Sequence, residues 1–248
     1  MIAPPRTIAC FGEIVMRVSI PEGELPLQSA GFGAHAGGAE ANVAVALAAL
    51  GRRTAMISAV PEGPIGDGVM GELRRHGVDT ASVRRPAGRM GLYYHLPGGS
   101  MRPAEVVYDR AGSAFALAGP EEWDWDHLLD GAGWLHVSGV TPALEHIAST
   151  AREIIGPDAH RITARVDTRD ERGASDPILV TPVIDRVGTG DAFAAGVLDG
   201  LWSGKNLTDA AKHGLALAAL KHGIHGDFAP FSRSMLDRVS SAAQDISR

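Results

Sequence analysis

Gly188, Gly190 and Asp191 stand at the mouth of an apolar, Ala-rich stretch, Ala192-Phe193-Ala194-Ala195-Gly196, and follow a strand-like apolar run over residues 177–184. That order predicts a strand, a glycine turn and a helix. Unpaired N–H groups of the helix N-terminus then lie beside a carboxylate. Such N–H groups can hold a phosphate, and the helix dipole favours the anion. Glycines suit the turn because a Cβ would keep the anion away from the amides. The Asp191 carboxylate can accept a proton from an attacking hydroxyl, the second part that phosphoryl transfer needs. Taken alone, the pattern also fits an ordinary N-capped helix, since Asp is a favoured cap.

A second glycine-rich start, Gly37-Gly38-Ala39-Glu40-Ala41-Asn42, opens a helix over residues 43–50 that Gly51 closes. Glycine lets a polyol approach the backbone, and Asn42 offers both a donor and acceptors. Alone, this too fits a purely structural helix start. The elements that must position both clusters alternate along the chain. Strands are predicted over 7–11, 54–60 and 134–140, all buried, and over 14–20, where Ile, Met, Val, Ile alternate with Val, Arg, Ser as in a half-exposed strand. Helices are predicted over 64–76, 192–202 and 208–222, and residues 91–96 with 105–110 form a hairpin around a Gly/Pro-rich loop. Strands alternating with helices predict a doubly wound α/β sheet.

Composition sets the outer bounds. The chain has 248 residues, enough for a full core, with 45% hydrophobic and 21% charged residues, as in a soluble globular protein. Its net charge of −6 and pI near 5.9 argue against nucleic acid or an anionic membrane as main partner, so phosphate ligands are held locally. A single cysteine, Cys10, in an apolar run excludes a disulfide framework and suits a reducing cytoplasm. No signal or anchor segment stands out. Residues 31–36 fit Gly-x-Gly-x-x-Ala, but no clean strand precedes them, so no dinucleotide site is expected. The ten histidines are scattered, His222 and His225 lack the carboxylate or Cys company of a metal site and are expected in structural roles, and no metal site is predicted from side chains. Trp123 and Trp125 are expected as packing anchors.

With both glycine clusters in view, the chain resembles the ribokinase-like (PfkB) carbohydrate kinases. Their C-terminal signature is usually written Asp-Thr-x-Gly-Ala-Gly-Asp-x-Phe. This chain keeps Gly188, Gly190, Asp191 and Phe193, with Arg186-Val187 and Thr189 at the variable places. Gly37-Gly38 and Asn42 match the family's N-terminal glycine motif. Within the family the sequence is most similar to 2-dehydro-3-deoxygluconate kinases, on Phe11-Gly12-Glu13, Gly91-Leu92-Tyr93, Tyr108-Asp109-Arg110 and Gly226-Asp227-Phe228. The resemblance implies one ribokinase-like domain over 1–248: a mostly parallel sheet with helices on both faces and a small β-sheet lid near 12–36 and 90–111. It implies Asp191 as catalytic base, the amides of Gly188, Thr189 and Gly190 as anion hole, and ATP with Mg²⁺ as cofactors. Gly37, Gly38, Asn42, Tyr93, Tyr108 and Arg110 are implied at the sugar acid, and a homo-oligomer through the lid. Arg110 is chemically apt, since a guanidinium grips a carboxylate through two parallel hydrogen bonds. A lid salt bridge to Asp109 or Glu105 is its alternative. A kinase of fructose or another ketose, and an inactive sugar-acid-binding protein, are the rival readings.

The chain departs from that family between residues 140 and 184, which is too short for the further strand carrying Asp-x-Asn-x-Arg and for the Asn-x-x-Glu motif. The join falls near Leu144-Glu145. Either residues are absent from the sequence as read or the protein carries a real deletion; family-like flanks favour the first. After the join, Thr150 and Arg152 stand where relatives carry a nucleotide loop, and residues 160–167 and 178–184 read as strands.

Overall fold

A computed structural model describes residues 6–99, 101–139 and 183–245. The predicted features near Leu144-Glu145, Thr150, Arg152 and 160–167 lie outside the described residues.

Two four-stranded sheets organise the chain. The first comprises β1 (Thr7–Phe11), β4 (Thr54–Ala59), β5 (Val83–Arg84) and β8 (Ala132–His136), in the order β5-β4-β1-β8, with every pair parallel. From Ile8 to Phe11 β1 is apolar, as suits a strand covered by helices, and all four residues are buried. β8 begins earlier than the predicted 134–140 and is half-buried rather than buried. Among the described residues it pairs on one side alone, with β1, which accounts for the exposure.

The second sheet is the lid: β2 (Val15–Ser19), β3 (Gly33–Gly37), β6 (Gly91–Leu96) and β7 (Glu105–Asp109), in the order β3-β2-β6-β7. The predicted hairpin forms, with Tyr93 opposite Tyr108. β3 is not apparent from sequence, because Gly33-Ala34-His35-Ala36-Gly37 has little strand propensity; antiparallel pairing with β2 holds it extended. The Gly-x-Gly-x-x-Ala pattern therefore lies largely within a strand and not in a strand-to-helix turn.

The helices are α1 (Ala39–Ala49), α2 (Pro64–Arg75), α3 (Trp125–Leu128), α4 (Thr189–Trp202), α5 (Leu207–Lys221) and α6 (Arg233–Asp245). α1 starts four residues before the predicted helix, directly after Gly38. Its small side chains let it pack between the sheet and α4, with residues from Glu40 to Leu47 buried. α4 and α5 approach so closely that a Cβ on Gly196 would lie 2.6 Å from the Gly214 Cα. A buried carboxylate fastens the helical layer: Asp199 accepts from Arg52 Nε at 2.6 Å, Arg233 Nη2 at 2.6 Å and His213 Nε2 at 2.9 Å. Phe11, Phe115, Trp123 and Trp125 form an aromatic cluster, the packing role expected of the two tryptophans.

Candidate active site

The turn that opens α4 has the predicted form. Gly188 caps the helix at φ 78°, and a Cβ there would lie 2.1 Å from the Asp227 carbonyl oxygen, so both conformation and space require glycine. The first hydrogen bond into the helix runs from Ala192 N to Gly188 O at 2.9 Å, which leaves the amides of Gly190 and Asp191 at the open helix end. Thr189 departs from the expected anion hole. Its N–H donates to Arg186 O at 3.3 Å, so the tight turn claims that amide.

Asp191 is half-buried at this end, and Asn42 Nδ2 of α1 donates to its Oδ2 at 2.7 Å. The two glycine clusters, far apart in sequence, thus meet through a carboxamide–carboxylate hydrogen bond. Burial pushes the Asp191 carboxyl up to about 6; the Asn42 hydrogen bond opposes this, and the charges of Glu40 and Asp227 add to it. A carboxyl with that value is mostly ionised near neutral pH and still basic enough to take a proton in a transition state. Two buried oxygens beside it, Asn42 Oδ1 and Thr189 Oγ1, have no hydrogen-bond partner among the described residues. Buried polar atoms in native proteins are normally satisfied, so these oxygens fit a site completed by a polar ligand.

Other predicted residues have different neighbours. Gly37 lies against Asp227, whose Oδ2 would sit 2.2 Å from a Cβ there, and Gly38 at φ 125° lies against the Glu13 carbonyl. These glycines are required by the protein's own packing. Tyr93, implied at the sugar acid, is 5% exposed and its hydroxyl donates to Asp227. Tyr108, 67% exposed on β7, packs against the Tyr93 ring and near the Arg110 guanidinium. Arg110 does form a lid ion pair, but with Glu13: Nε donates to Glu13 Oε2 at 2.5 Å, while Ser113 Oγ donates to Oε1 at 2.6 Å. Asp109, one of the expected partners, is taken by Arg89. His222 donates from its ring to Ala218 O at 2.9 Å, the structural role expected of it.

Sequence reading does not single out the charged network behind the turn. Arg17 on β2, Asp185 before the turn, Asp227 after α5 and Lys221 at the end of α5 are all buried. The alternation in residues 14–20 gives the right period but the wrong exposed face. Val15 and Arg17 point inward, because the lid's inner face meets carboxylates. The available signal was Asp185 itself, which occupies the first position of the C-terminal signature.

Fold and site together define a carbohydrate kinase. The sequence profile of the pfkB family carbohydrate kinases matches residues 5–156 and 164–232, and the chain belongs to that family. Among individual relatives it is 31% identical to the 2-dehydro-3-deoxygalactonokinase of Haloferax volcanii, covering 94% of this chain and 96% of the relative. That alignment extends over 305 positions, so the relative has positions without a counterpart in this chain of 248 residues. The crystal structure of 2-dehydro-3-deoxygluconokinase from Thermotoga maritima superposes with a TM-score of 0.80 at 28% identity, over 95% of this chain and 99% of that one. A Pyrococcus horikoshii sugar kinase solved with ATP shares the fold, with a TM-score of 0.78 at 19% identity, over 95% and 99% of the two chains.

Proposed function

We propose that this carbohydrate kinase transfers the γ-phosphoryl group of ATP to the primary hydroxyl of a 2-keto-3-deoxy sugar acid, with 2-dehydro-3-deoxy-D-gluconate to its 6-phosphate as the first candidate. The observation that carries the reading is Asp191: a half-buried carboxylate, pushed up to about 6, at the open N-terminus of α4. Asp191 takes the hydroxyl proton as that oxygen forms its bond to the γ-phosphorus, and the bond from phosphorus to the bridging oxygen of ADP breaks. The amides of Gly190 and Asp191 face the developing charge on the transferred group. Asn42 orients Asp191 and leaves Oδ1 for a sugar hydroxyl. The helix end fits a phosphate on the geometry above. Mg²⁺ is different: among the described residues no group of three or more His, Cys, Asp or Glu side chains comes together to hold a metal ion. Mg²⁺ ordinarily needs only one or two carboxylates beside phosphate oxygens and water, so it would neutralise charge on ATP without such a cluster, and no step is routed through it.

The named relatives support a sugar acid over a neutral ketose, and Arg110 keeps its outer guanidinium edge for a carboxylate while Nε holds Glu13. We place the shortfall against family members between residues 140 and 184. It favours the second reading, a protein that binds a sugar acid without turning it over. We further infer a single kinase domain with its lid, in the cytoplasm, assembling through the lid, whose strand β7 is exposed at the sheet edge. No helix among the described residues is long and apolar enough to cross a membrane. A coupled ADP-release assay over 2-dehydro-3-deoxygluconate, 2-dehydro-3-deoxygalactonate and fructose, beside calorimetric binding of each, tests these readings. Turnover of either acid with little on fructose is expected. Fructose as the best substrate overturns the sugar-acid reading, and tight acid binding without ADP release establishes the binding-only one.

A further inference from the structure

We propose that Arg17 is a positioning residue through which the lid sets the geometry of the phosphate-holding turn. The inference rests on the assignment of the Gly188–Asp191 turn made above. Arg17 sits at the centre of β2 on the inner face of the lid, with 5% of its side chain exposed. Its Nη1 donates to two carboxylates from separate segments, Asp185 Oδ2 at 2.8 Å and Asp227 Oδ1 at 3.1 Å. Its Nη2 lies 2.6 Å from His95 Nδ1 on β6, and its Nε donates to Ser19 Oγ at 2.6 Å. Every guanidinium nitrogen is thus engaged: Nη1 bridges the two carboxylates while Nε and Nη2 tie the same rigid plane to Ser19 and His95 of the lid.

Each carboxylate is built into the turn. Asp185 accepts from Val187 N at 3.0 Å and from Gly226 N at 3.1 Å, so it joins the chain entering the turn to the segment carrying Asp227. The backbone of Asp227 packs directly against Gly188. A second lid strand reaches the same place, since the Tyr93 hydroxyl on β6 donates to Asp227. Lys221, fully buried, donates to Ile224 O at 3.2 Å and supplies a second positive charge near the carboxylates. Displacing the lid breaks both Arg17 contacts and leaves Asp185 and Asp227 facing each other with Lys221 as the remaining cation. The turn keeps its shape when the lid is down. Arg17 touches no reacting atom; it acts through Asp185 and Asp227.

The test compares wild type, Arg17→Lys, Arg17→Met and Asp191→Asn in the coupled assay, with thermal unfolding and calorimetric binding of 2-dehydro-3-deoxygluconate without ATP. The ammonium group of the shorter lysine stops short of the Nη1 position between the carboxylates and cannot also hold Ser19 and His95. Arg17→Lys is expected to fold, to bind the sugar acid within about threefold of wild type, and to lose roughly 10- to 100-fold in kcat, the loss typical of a small misplacement of catalytic groups. Arg17→Met is expected to lose more. An Arg17→Lys kcat within about twofold of wild type overturns the proposal, as does a loss matched by weaker sugar binding. Asp191→Asn separates the two levels: if it retains turnover, the site assignment fails, whereas an inactive Asp191→Asn beside a fully active Arg17→Lys sinks the coupling alone. Should the Arg17 variants not fold, hydrogen exchange of the wild type decides. The sugar acid alone must slow exchange of the amides in 186–191, and unchanged exchange overturns the coupling.

Discussion

Replacing Asp191 by Asn removes a negative charge from a half-buried position while keeping an oxygen that can accept from Asn42. The consequence for stability has a definite sign. Burial pushes the carboxyl from its ordinary 3.8 to about 6, so the folded protein favours the protonated form. That contribution to stability is full below 3.8 and is lost as pH rises through about 6. At 1.36 kcal/mol per pH unit the rise corresponds to about 3 kcal/mol, reduced to about 2 kcal/mol because water screens the partly exposed group. The amide does not ionise and escapes the loss. Asp191→Asn should therefore melt roughly 4–8 °C above wild type at pH 8, with the gap closing as pH approaches 4. Turnover should fall about 10²- to 10⁴-fold above pH 7, as when a general base is removed, and by less below pH 6, where protonation silences the wild-type carboxylate. Thermal unfolding across that range, beside kcat from ADP release, reads both effects. A stability gap independent of pH, or a kcat within about twofold of wild type, would refute the reasoning.

Asn42→Ala removes the hydrogen bond that holds the Asp191 carboxyl down, so the acid limb of wild-type kcat/KM, expected near pH 6, should move upward and activity at pH 6 should suffer more than at pH 8. Gly188→Ala forces a side chain into a φ of 78° against the Asp227 carbonyl; it should lower stability by about 1–3 kcal/mol in urea unfolding and reduce kcat by displacing the turn. Asp199→Asn leaves Arg52 and Arg233 around a neutral buried group and should destabilise by about 3–5 kcal/mol. Although burial alone would raise it, hydrogen bonds from His213, Arg233 and Arg52 hold Asp199 well below the usual carboxylate range. Its contribution is thus present above 3.8 and lost as pH falls below it, so the gap between wild type and Asp199→Asn should narrow in acid.

The site was legible where chemistry and local backbone coincide, and obscure where it depends on contacts between distant segments. Gly188, Gly190 and Asp191 announce themselves because a glycine turn and a helix start are local properties. The meeting of Asn42 with Asp191 follows once both helices open at the same end of the sheet. The inward face of β2 could not be read the same way. Period-two alternation shows that Val15, Arg17 and Ser19 share a face, and an Arg there ordinarily marks the solvent side. Its burial depends on Asp185 and Asp227, which lie far along the chain. Tyr93 and Arg110 teach the same lesson. Their residue types suit a sugar acid, but Asp227 engages the Tyr93 hydroxyl and Glu13 the Arg110 Nε within the protein. β3 leaves no mark in the sequence because pairing with β2, rather than the propensity of its own residues, makes it a strand.

Asp185 and Asp191 stand on either side of the same turn, and their surroundings push them apart. At Asp185, burial opposes the charge, but the Val187 amide and the Arg17 guanidinium outweigh it and hold the carboxyl below its usual range. At Asp191, burial and the charges of Glu40 and Asp227 prevail over one neutral carboxamide and raise it. Two carboxylates in one site with opposite shifts suit different tasks: Asp185 stays a fixed anion that anchors backbone, and Asp191, on the mechanism we propose, exchanges a proton. This division matters in a chain of net charge −6, which offers a polyanionic substrate no attractive overall field. A fixed Asp185 facing the phosphates without a counter-ion would repel them. Arg17 and Lys221 offset Asp185 and Asp227 from behind, so the buried group is close to neutral overall. On the mechanism we propose, the open amides at the start of α4 then dominate the potential that the transferred phosphoryl group meets.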